Sequence, residues 1–267
     1  MNSVQQDAPF VHISTKERAI AWISKTFFDG VTYRARHGLT KGMVRRGGMG
    51  WLPEFLAGDD TAEITFLRSL DLQNKVVYDI GAFHGLLTIW FASVASKVFA
   101  FEPNSASRER LTENVALNRL DNVTIRRAAL GSRPGGYTMR WDSLVPGMAK
   151  IGGQGKHAEA IVMSTLDQEA QTPPDFIKID TEGFEADVLR GAQKTLERHP
   201  EVFLEVHGET MRQKRINAAE IVGILTAGGY TAILHVENSI LITPSNSDQA
   251  ARGHIYACRP DSAGRGA

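Results

Sequence analysis

The sequence predicts an α/β protein with one doubly wound, mostly parallel sheet, closed by an antiparallel C-terminal hairpin and preceded by an N-terminal helix and arm. Two observations predict it. From residue 75 onward, short apolar runs rich in β-branched residues alternate with longer helical stretches, the pattern of strands buried on both faces and joined by crossover helices. One such run, Val76–Ile80, passes directly into a glycine turn and then a helix, the place where open parallel sheets bind ligands.

Each element follows in order. Residues 1–9 form a polar tail, and Ile13, Ala19, Ile20, Ile23 and Phe27 then fall at roughly helical spacing, which predicts one amphipathic helix over Phe10–Phe28. Gly30–Gly58 is glycine-rich, carries Arg34, Arg36, Lys41, Arg45 and Arg46, and has no acid between Asp29 and Glu54. It reads as an irregular basic arm and a candidate lid. Residues 1–60 are therefore set apart from a domain at 61–260 and a tail at 261–267. Inside the domain the expected strand and helix pairs are Val76–Ile80 with Leu86–Ser93, Lys97–Phe101 with Ser105–Asn118, Phe176–Asp180 with Glu185–Leu196, and Val202–Val206 with Ala218–Ala227. Val123–Ala129 is a further strand. Gly135–Gly155, with Pro146, is expected as a long loop or small insertion. Thr231–Val236 and His254–Cys258 have no convincing helix between them and are expected to pair as the hairpin.

Bulk chemistry narrows the function classes. Thirty basic and thirty acidic side chains cancel, whereas a protein that neutralises nucleic-acid phosphates usually shows a basic excess. The single Cys258 rules out an internal disulfide or a zinc cluster and fits a reducing compartment. No secretory leader and no apolar run of membrane-spanning length is visible, so a cytoplasmic location is expected.

The turn after Val76–Ile80 reads Asp79-Ile80-Gly81-Ala82-Phe83-His84-Gly85. A dinucleotide loop would place glycine where Asp79 stands, to admit a pyrophosphate. A carboxylate there repels pyrophosphate but suits a cation such as the sulfonium and amino group of S-adenosylmethionine. The second strand ends Phe101-Glu102-Pro103-Asn104, and an acid at that tip, about 20 residues after the turn, can accept hydrogen bonds from ribose hydroxyls. Pro103 halts the strand because it cannot donate to the ladder.

These motifs, with Ile177-Lys178-Ile179-Asp180-Thr181-Glu182-Gly183-Phe184-Glu185, resemble the FkbM family of class I methyltransferases over roughly residues 62–208. The resemblance implies a Rossmann-like domain that uses S-adenosylmethionine to methylate a hydroxyl of a sugar, glycolipid or secondary metabolite. It also implies that Asp79, Gly81, Glu102 and Asn104 hold the cofactor, with Ala129 near the adenine. Ala82, Phe83, His84, Gly85 and Pro103 complete the candidate cofactor set.

Strand periodicity places Phe176, Lys178 and Asp180 on one face, and Phe203, Glu205 and His207 on one face of the next strand. A lysine in the apolar run Phe176–Ile179 needs a partner, and Glu205 is the expected one. An alcohol acceptor gains from a general base. His207, with a reference pKa near 6.5, is the first candidate, ahead of Asp180 and Glu182. Asp180, Glu182 and His207 also offer ligands for a divalent ion, but no spacing is diagnostic and no metal is assigned. Trp51 and Trp141 are candidates to line an acceptor pocket, and the basic arm to meet a phosphorylated acceptor. Two alternatives stand beside methyl transfer: a nicotinamide-dependent oxidoreductase, which Asp79 weighs against, and a noncatalytic adenosyl-ligand binding module.

Overall fold

The computed structural model describes residues 22–23, 26–27, 29–47, 60–141, 150–151 and 155–259. Most of the expected N-terminal helix, Trp51 and the 261–267 tail lie outside them. The described chain begins with a short antiparallel hairpin, β1 (Thr32–Arg34) and β2 (Val44–Arg46), followed by α1 (Ala62–Ser69). Residues 32–46 of the expected arm thus form a hairpin rather than an irregular run, and residues 48–58 of it lie outside the described residues. Thr61 caps α1, its hydroxyl accepting from the Ile64 N–H.

The main sheet comprises β3 (Val76–Ile80), β4 (Lys97–Phe101), β5 (Val123–Arg126), β10 (Phe176–Ile179), β11 (Glu201–His207), β12 (Ala232–His235), β13 (Ile240–Leu241) and β14 (Arg252–Cys258). Their spatial order is β13-β12-β14-β11-β10-β3-β4-β5. The strands from β11 to β5 run parallel, and the order reverses beside β3, so the ligand crevice lies at the carboxyl ends of β3, β4 and β10. The expected antiparallel pair is present, with a difference. A 3-10 segment, Pro244–Ala251, separates its strands, and β14 inserts between β11 and β12, antiparallel to both.

Helices cover both faces. α1 and α2 (Leu86–Val94) pack Leu67, Trp90 and Phe91 against Val77, Phe176 and Phe203. On the other face lie Tyr78, Ile177, Ile179 and Leu204. They meet Val188 and Leu189 of α5 (Glu185–Arg190) and Ile221 and Leu225 of α8 (Ala218–Ala227). These alternating residues put Asp79, Lys178 and Glu205 on the α1–α2 face. Along the chain come α3 (Ser105–Leu117), α4 (Leu166–Glu169), α6 (Gln193–Leu196) and α7 (Gly208–Gln213). The expected single helix over Glu185–Leu196 is broken between α5 and α6. Gly191 sits so close to the Gly131 carbonyl that a Cβ would lie 2.1 Å from its oxygen.

The expected Gly135–Gly155 loop is instead part of a second sheet. β6 (Ala129–Leu130), β7 (Gly135–Trp141), β8 (Lys150–Ile151) and β9 (His157–Ser164) pair in the order β6-β9-β7-β8. Glycines at the start of β7 and the polar run before β9 hid the alternation that buries Met139, Ile161 and Met163. Val123–Ala129 is accordingly two strands, β5 in the main sheet and β6 in the small one. Among the described residues no helix is long and apolar enough to cross a membrane.

Candidate functional site

The glycine turn is locked onto the end of β4. The N–H groups of Gly81 and Ala82 both donate to the Phe101 carbonyl at 3.0 Å. Gly81 has φ +78°, and a Cβ there would lie 1.7 Å from the Asp180 carbonyl oxygen, so only glycine fits between β3 and β10. Gly85, at φ +82°, is the N-cap of α2 and would strike Leu111 if it carried a side chain. The α2 N-terminus has no side-chain cap and no acid in its first turn, which leaves its amides open to an anionic group.

Glu102 is the organiser of this turn. It is buried, and its two oxygens accept from the Phe83 N–H and the Asn104 N–H, each at 2.8 Å. Holding the Phe83 amide stabilises a non-glycine residue at φ +50°, a conformation that costs roughly 1 kcal/mol or more. Burial pushes the Glu102 carboxyl up to about 7, although both backbone hydrogen bonds and the charges of Lys178 and Arg108 pull it down. Asn104 caps α3 through its carbonyl oxygen, 2.9 Å from the Ser107 N–H. Its side-chain N–H₂, buried, has no partner among the described residues. A carboxylate with spare lone pairs beside an orphaned amide donor is a donor–acceptor pair that fits a ribose diol. The turn, the uncapped helix and this pair fit an adenosyl cofactor with an amino-acid tail.

The remaining cofactor candidates fall as follows. Asp79 is fully buried, 2.6 Å from the Thr88 hydroxyl and 3.3 Å from Lys178 Nζ. It therefore holds the turn together from below and does not present a free carboxylate to a sulfonium. The Pro103 carbonyl accepts from Arg108. The His84 ring stacks on Phe83 with centroids 3.7 Å apart, and burial, aided by Arg110 and Arg45, lowers it to about 3, so it is neutral. Ala129 packs in the core of the small sheet with Met139, Ile161 and Met163. Trp141 stacks on His157 at the end of β7.

Lys178 does not pair with Glu205 as the strand faces suggest. It contacts Asp79, the Gly81 carbonyl at 3.0 Å and Asp180 at 3.5 Å. The parallel register explains it: Lys178 lies directly beside Asp79, one row below Glu205. Burial lowers the ammonium, but the carboxylates of Asp79 and Asp180 more than offset this, so it stays charged.

Above this row the strand tips gather the expected catalytic groups. His207 Nε2 lies 3.6 Å from Glu205, 3.8 Å from Glu182 and 3.9 Å from Asp180, and His207 Nδ1 lies 3.1 Å from Glu185. Burial alone would lower the imidazole. The hydrogen bond to Glu185 and the charges of Glu182 and Asp180 outweigh burial and raise it to about 9. The resting imidazole is thus protonated at neutral pH, which corrects the expectation drawn from the reference value. Asp180 is raised by burial, against the pull of Lys178. It does not cap the following helix, whose N-cap is Phe184. Glu205 is lowered, chiefly by a hydrogen bond with His254, and it stays anionic. Asp180, Glu205 and His207 each place one ligand atom within 4.8 Å of the others, near enough for a single cation to bridge.

Several residues of this neighbourhood were not legible in the sequence. Thr88 reaches Asp79 from the first turn of α2. His254, on β14, stacks on Phe203 and lies near Glu205, Glu63 and Glu237; burial lowers it, but those carboxylates raise it to about 9. Its alternation with Tyr256 on β14 was the available signal. Asn114 of α3 and Asn118, its C-cap, hold the hairpin: their Oδ1 atoms accept from the Arg46 N–H at 2.8 Å and the Val44 N–H at 2.9 Å. The hairpin consequently overhangs the turn, and a cavity of about 200 Å³ is lined by Arg45, Arg46, Phe83, Asn114, Lys178 and Asp180.

A family model described as the methyltransferase FkbM domain matches residues 79–232. The hexuronic acid methyltransferase AglP of Haloferax volcanii is 30% identical over 139 residues, covering 51% of this chain and 57% of that protein, so the match spans less than two thirds of the relative's length. Among solved structures, the FkbM methyltransferase of Methylobacillus flagellatus is similar at 19% identity and a TM-score of 0.49, over 71% of this chain and 45% of that one. A precorrin-6y C5,15-methyltransferase of Geobacter metallireducens is similar at 15% identity and a TM-score of 0.44, over 74% and 87%. The family match runs from Asp79 through the glycine turn, Glu102 and the Asp180–Glu185 segment and takes in more than half of the residues; this chain belongs to the FkbM methyltransferase family.

Proposed function

We propose that this protein transfers a methyl group from S-adenosylmethionine to a hydroxyl of a sugar-containing acceptor. One observation carries the proposal: the carboxylate and amide of Glu102 and Asn104, with the uncapped α2 N-terminus, adjoin strand tips that bear Asp180, Glu205 and His207. The bound cofactor supplies a methyl group on a cationic sulfur with a good leaving group. The chain's own residues then have two tasks, positioning and proton removal. The excess of carboxylates at the strand tips favours a cationic ligand nearby. His207, in its neutral form, takes the acceptor proton, while Asp180 and Glu205 orient the acceptor hydroxyl. Glu182 stands at the open side of the imidazole. The sugar class is supported by the hexuronic acid methyltransferase among the relatives.

The decisive experiment incubates the full chain with methyl-labelled S-adenosylmethionine and a panel of neutral and acidic sugars, with titration calorimetry of S-adenosylmethionine, S-adenosylhomocysteine and NAD alongside. Label transfer to a sugar oxygen with far weaker NAD binding is the expected result. NAD binding as tight as the adenosyl ligands would return the chain to the oxidoreductase alternative, and cofactor binding without transfer to any acceptor would favour a binding module. Loss of transfer on chelation, restored by a divalent ion, would replace the proton-removal scheme with a metal-held acceptor.

A further inference from the structure

Glu185 opens α5, where an acid ordinarily serves only to complement the helix dipole while its carboxylate stays in water. Here the side chain is fully buried. Its Oε1 accepts from the Gly183 N–H at 2.8 Å and the Thr181 N–H at 3.3 Å, and faces His207 Nδ1 at 3.1 Å. The loop that supplies those amides is itself fixed. Gly183, at φ +98°, lies so close to α7 that a Cβ would meet Thr210 at 2.8 Å or less, and α7 starts immediately after His207. Burying a carboxylate costs several kcal/mol unless its hydrogen-bonding capacity is used. A group needed only for the dipole would not be placed there.

We infer that Glu185 is the positioning residue for His207: its carboxylate, held by the Thr181–Gly183 amides, engages Nδ1 and thereby turns Nε2 toward the acceptor. With Nδ1 engaged, Nε2 points at Asp180, Glu182 and Glu205, the half-open side of the cluster. A carboxylate can only accept, so Nδ1 must carry the proton and the neutral ring keeps Nε2 bare. This rests on the proposed role of His207 in proton removal and adds the residue that makes its geometry and tautomer unique.

Glu185→Gln is the informative variant. The amide oxygen can still accept from Gly183 and Thr181, so the loop keeps its shape. The same oxygen, Oε1, also faces Nδ1, so the amide keeps that contact but removes the negative charge that holds the ring and stabilises the imidazolium formed as the proton is taken. With methyl hexuronoside as acceptor, kcat is expected to fall at least tenfold, while KM and cofactor affinity stay within about twofold and Glu185→Asp recovers part of the loss. In a His207→Ala background the same substitution should change nothing further. Unchanged kcat for Glu185→Gln, or an equal loss in both backgrounds, would overturn the assignment. Nitrogen shifts of the histidine rings in the unmutated protein, above the pKa of His207, give a test that needs neither acceptor nor variant. A protonated Nδ1 and bare Nε2 are expected, and the opposite tautomer refutes the inference. Native turnover in His207→Ala would instead remove the parent reading, and Glu185's role with it.

Discussion

Two adjacent rows of the same strands treat charge in opposite ways. In the lower row Asp79 and Lys178 are buried and matched, with Thr88 and the Gly81 carbonyl satisfying the rest. In the upper row Asp180, Glu182, Glu185 and Glu205 surround one imidazole, with Lys178 reaching only Asp180. The lower row is an element of structure: remove one member and the other is stranded. The upper row gathers four carboxylates around His207, whose imidazole they raise, while burial raises Asp180 and His254 answers Glu205 from β14. Perturbed groups of this kind cluster where ligands and protons are exchanged.

The largest effect should come from breaking the lower row. Lys178→Ala leaves Asp79 buried without a counter-charge, which typically costs about 3–5 kcal/mol. Chemical denaturation should show it directly; a loss below about 1 kcal/mol would mean that the Lys178–Asp79 contact does not hold the lower row and that the two rows are not different in kind. In the upper row, His207→Ala should leave stability nearly intact and lower turnover by roughly a hundred-fold. Full loss from Asp180→Asn with native turnover in His207→Ala would shift proton removal to β10.

The pH response sharpens the same contrast. The folded state holds the His207 proton more tightly than an unfolded histidine would, through Glu185, Glu182 and Asp180, with Glu205 also at Nε2. Its contribution to stability is therefore complete below pH 6.5 and is lost as the pH rises through about 9. Activity runs the other way, because only the neutral ring accepts a proton. Turnover should climb toward pH 9 while thermal stability declines; in His207→Ala the climb should vanish and the decline should shrink to the part that His254, also raised to about 9, contributes. Turnover that is flat between pH 6 and 9 would separate His207 from the chemistry.

Glu102 illustrates how far the sequence could see. The strand-end acid was legible from its spacing after Gly81, and so was its fitness for a ribose. What spacing cannot show is that both its oxygens already hold backbone amides, so that Glu102→Ala would loosen the turn as well as the ligand. Glu102→Gln is the milder test: its oxygen keeps one of the two amides while its N–H₂ faces the other, and cofactor affinity should fall by roughly ten- to a hundred-fold. The parallel strands were legible for a similar reason, since burial on both faces writes continuous apolar runs. The small sheet was not, because β7 and β9 are half-exposed and open with glycine or polar residues. Lys178's partner was missed because face periodicity says nothing of register; Asp79 stands directly beside it in the neighbouring strand β3, about 100 residues earlier in the chain.

The smallest expected effect concerns the hairpin, which the sequence presented as a loose arm. Its β2 strand is tied to α3 through Asn114 and Asn118, and Arg110 donates to the Asp29 and Gly47 carbonyls. Arg45 and Arg46 thereby line the cavity that also touches Lys178 and Asp180. A lid needs attachments weak enough to open, and side-chain amide hydrogen bonds of about 1 kcal/mol each are of that order. Asn114→Ala removes the acceptor for the Arg46 amide and the donor to the His84 carbonyl together. Hydrogen exchange of the β2 amides should then quicken by roughly five- to thirty-fold while the β3 and β10 amides are unchanged. If the hairpin closes over the acceptor, adding cofactor and a sugar acceptor should slow the same amides in the unmutated protein. Protection identical with and without ligands would leave the hairpin a fixed wall, and closure would then have to come from elsewhere in the chain.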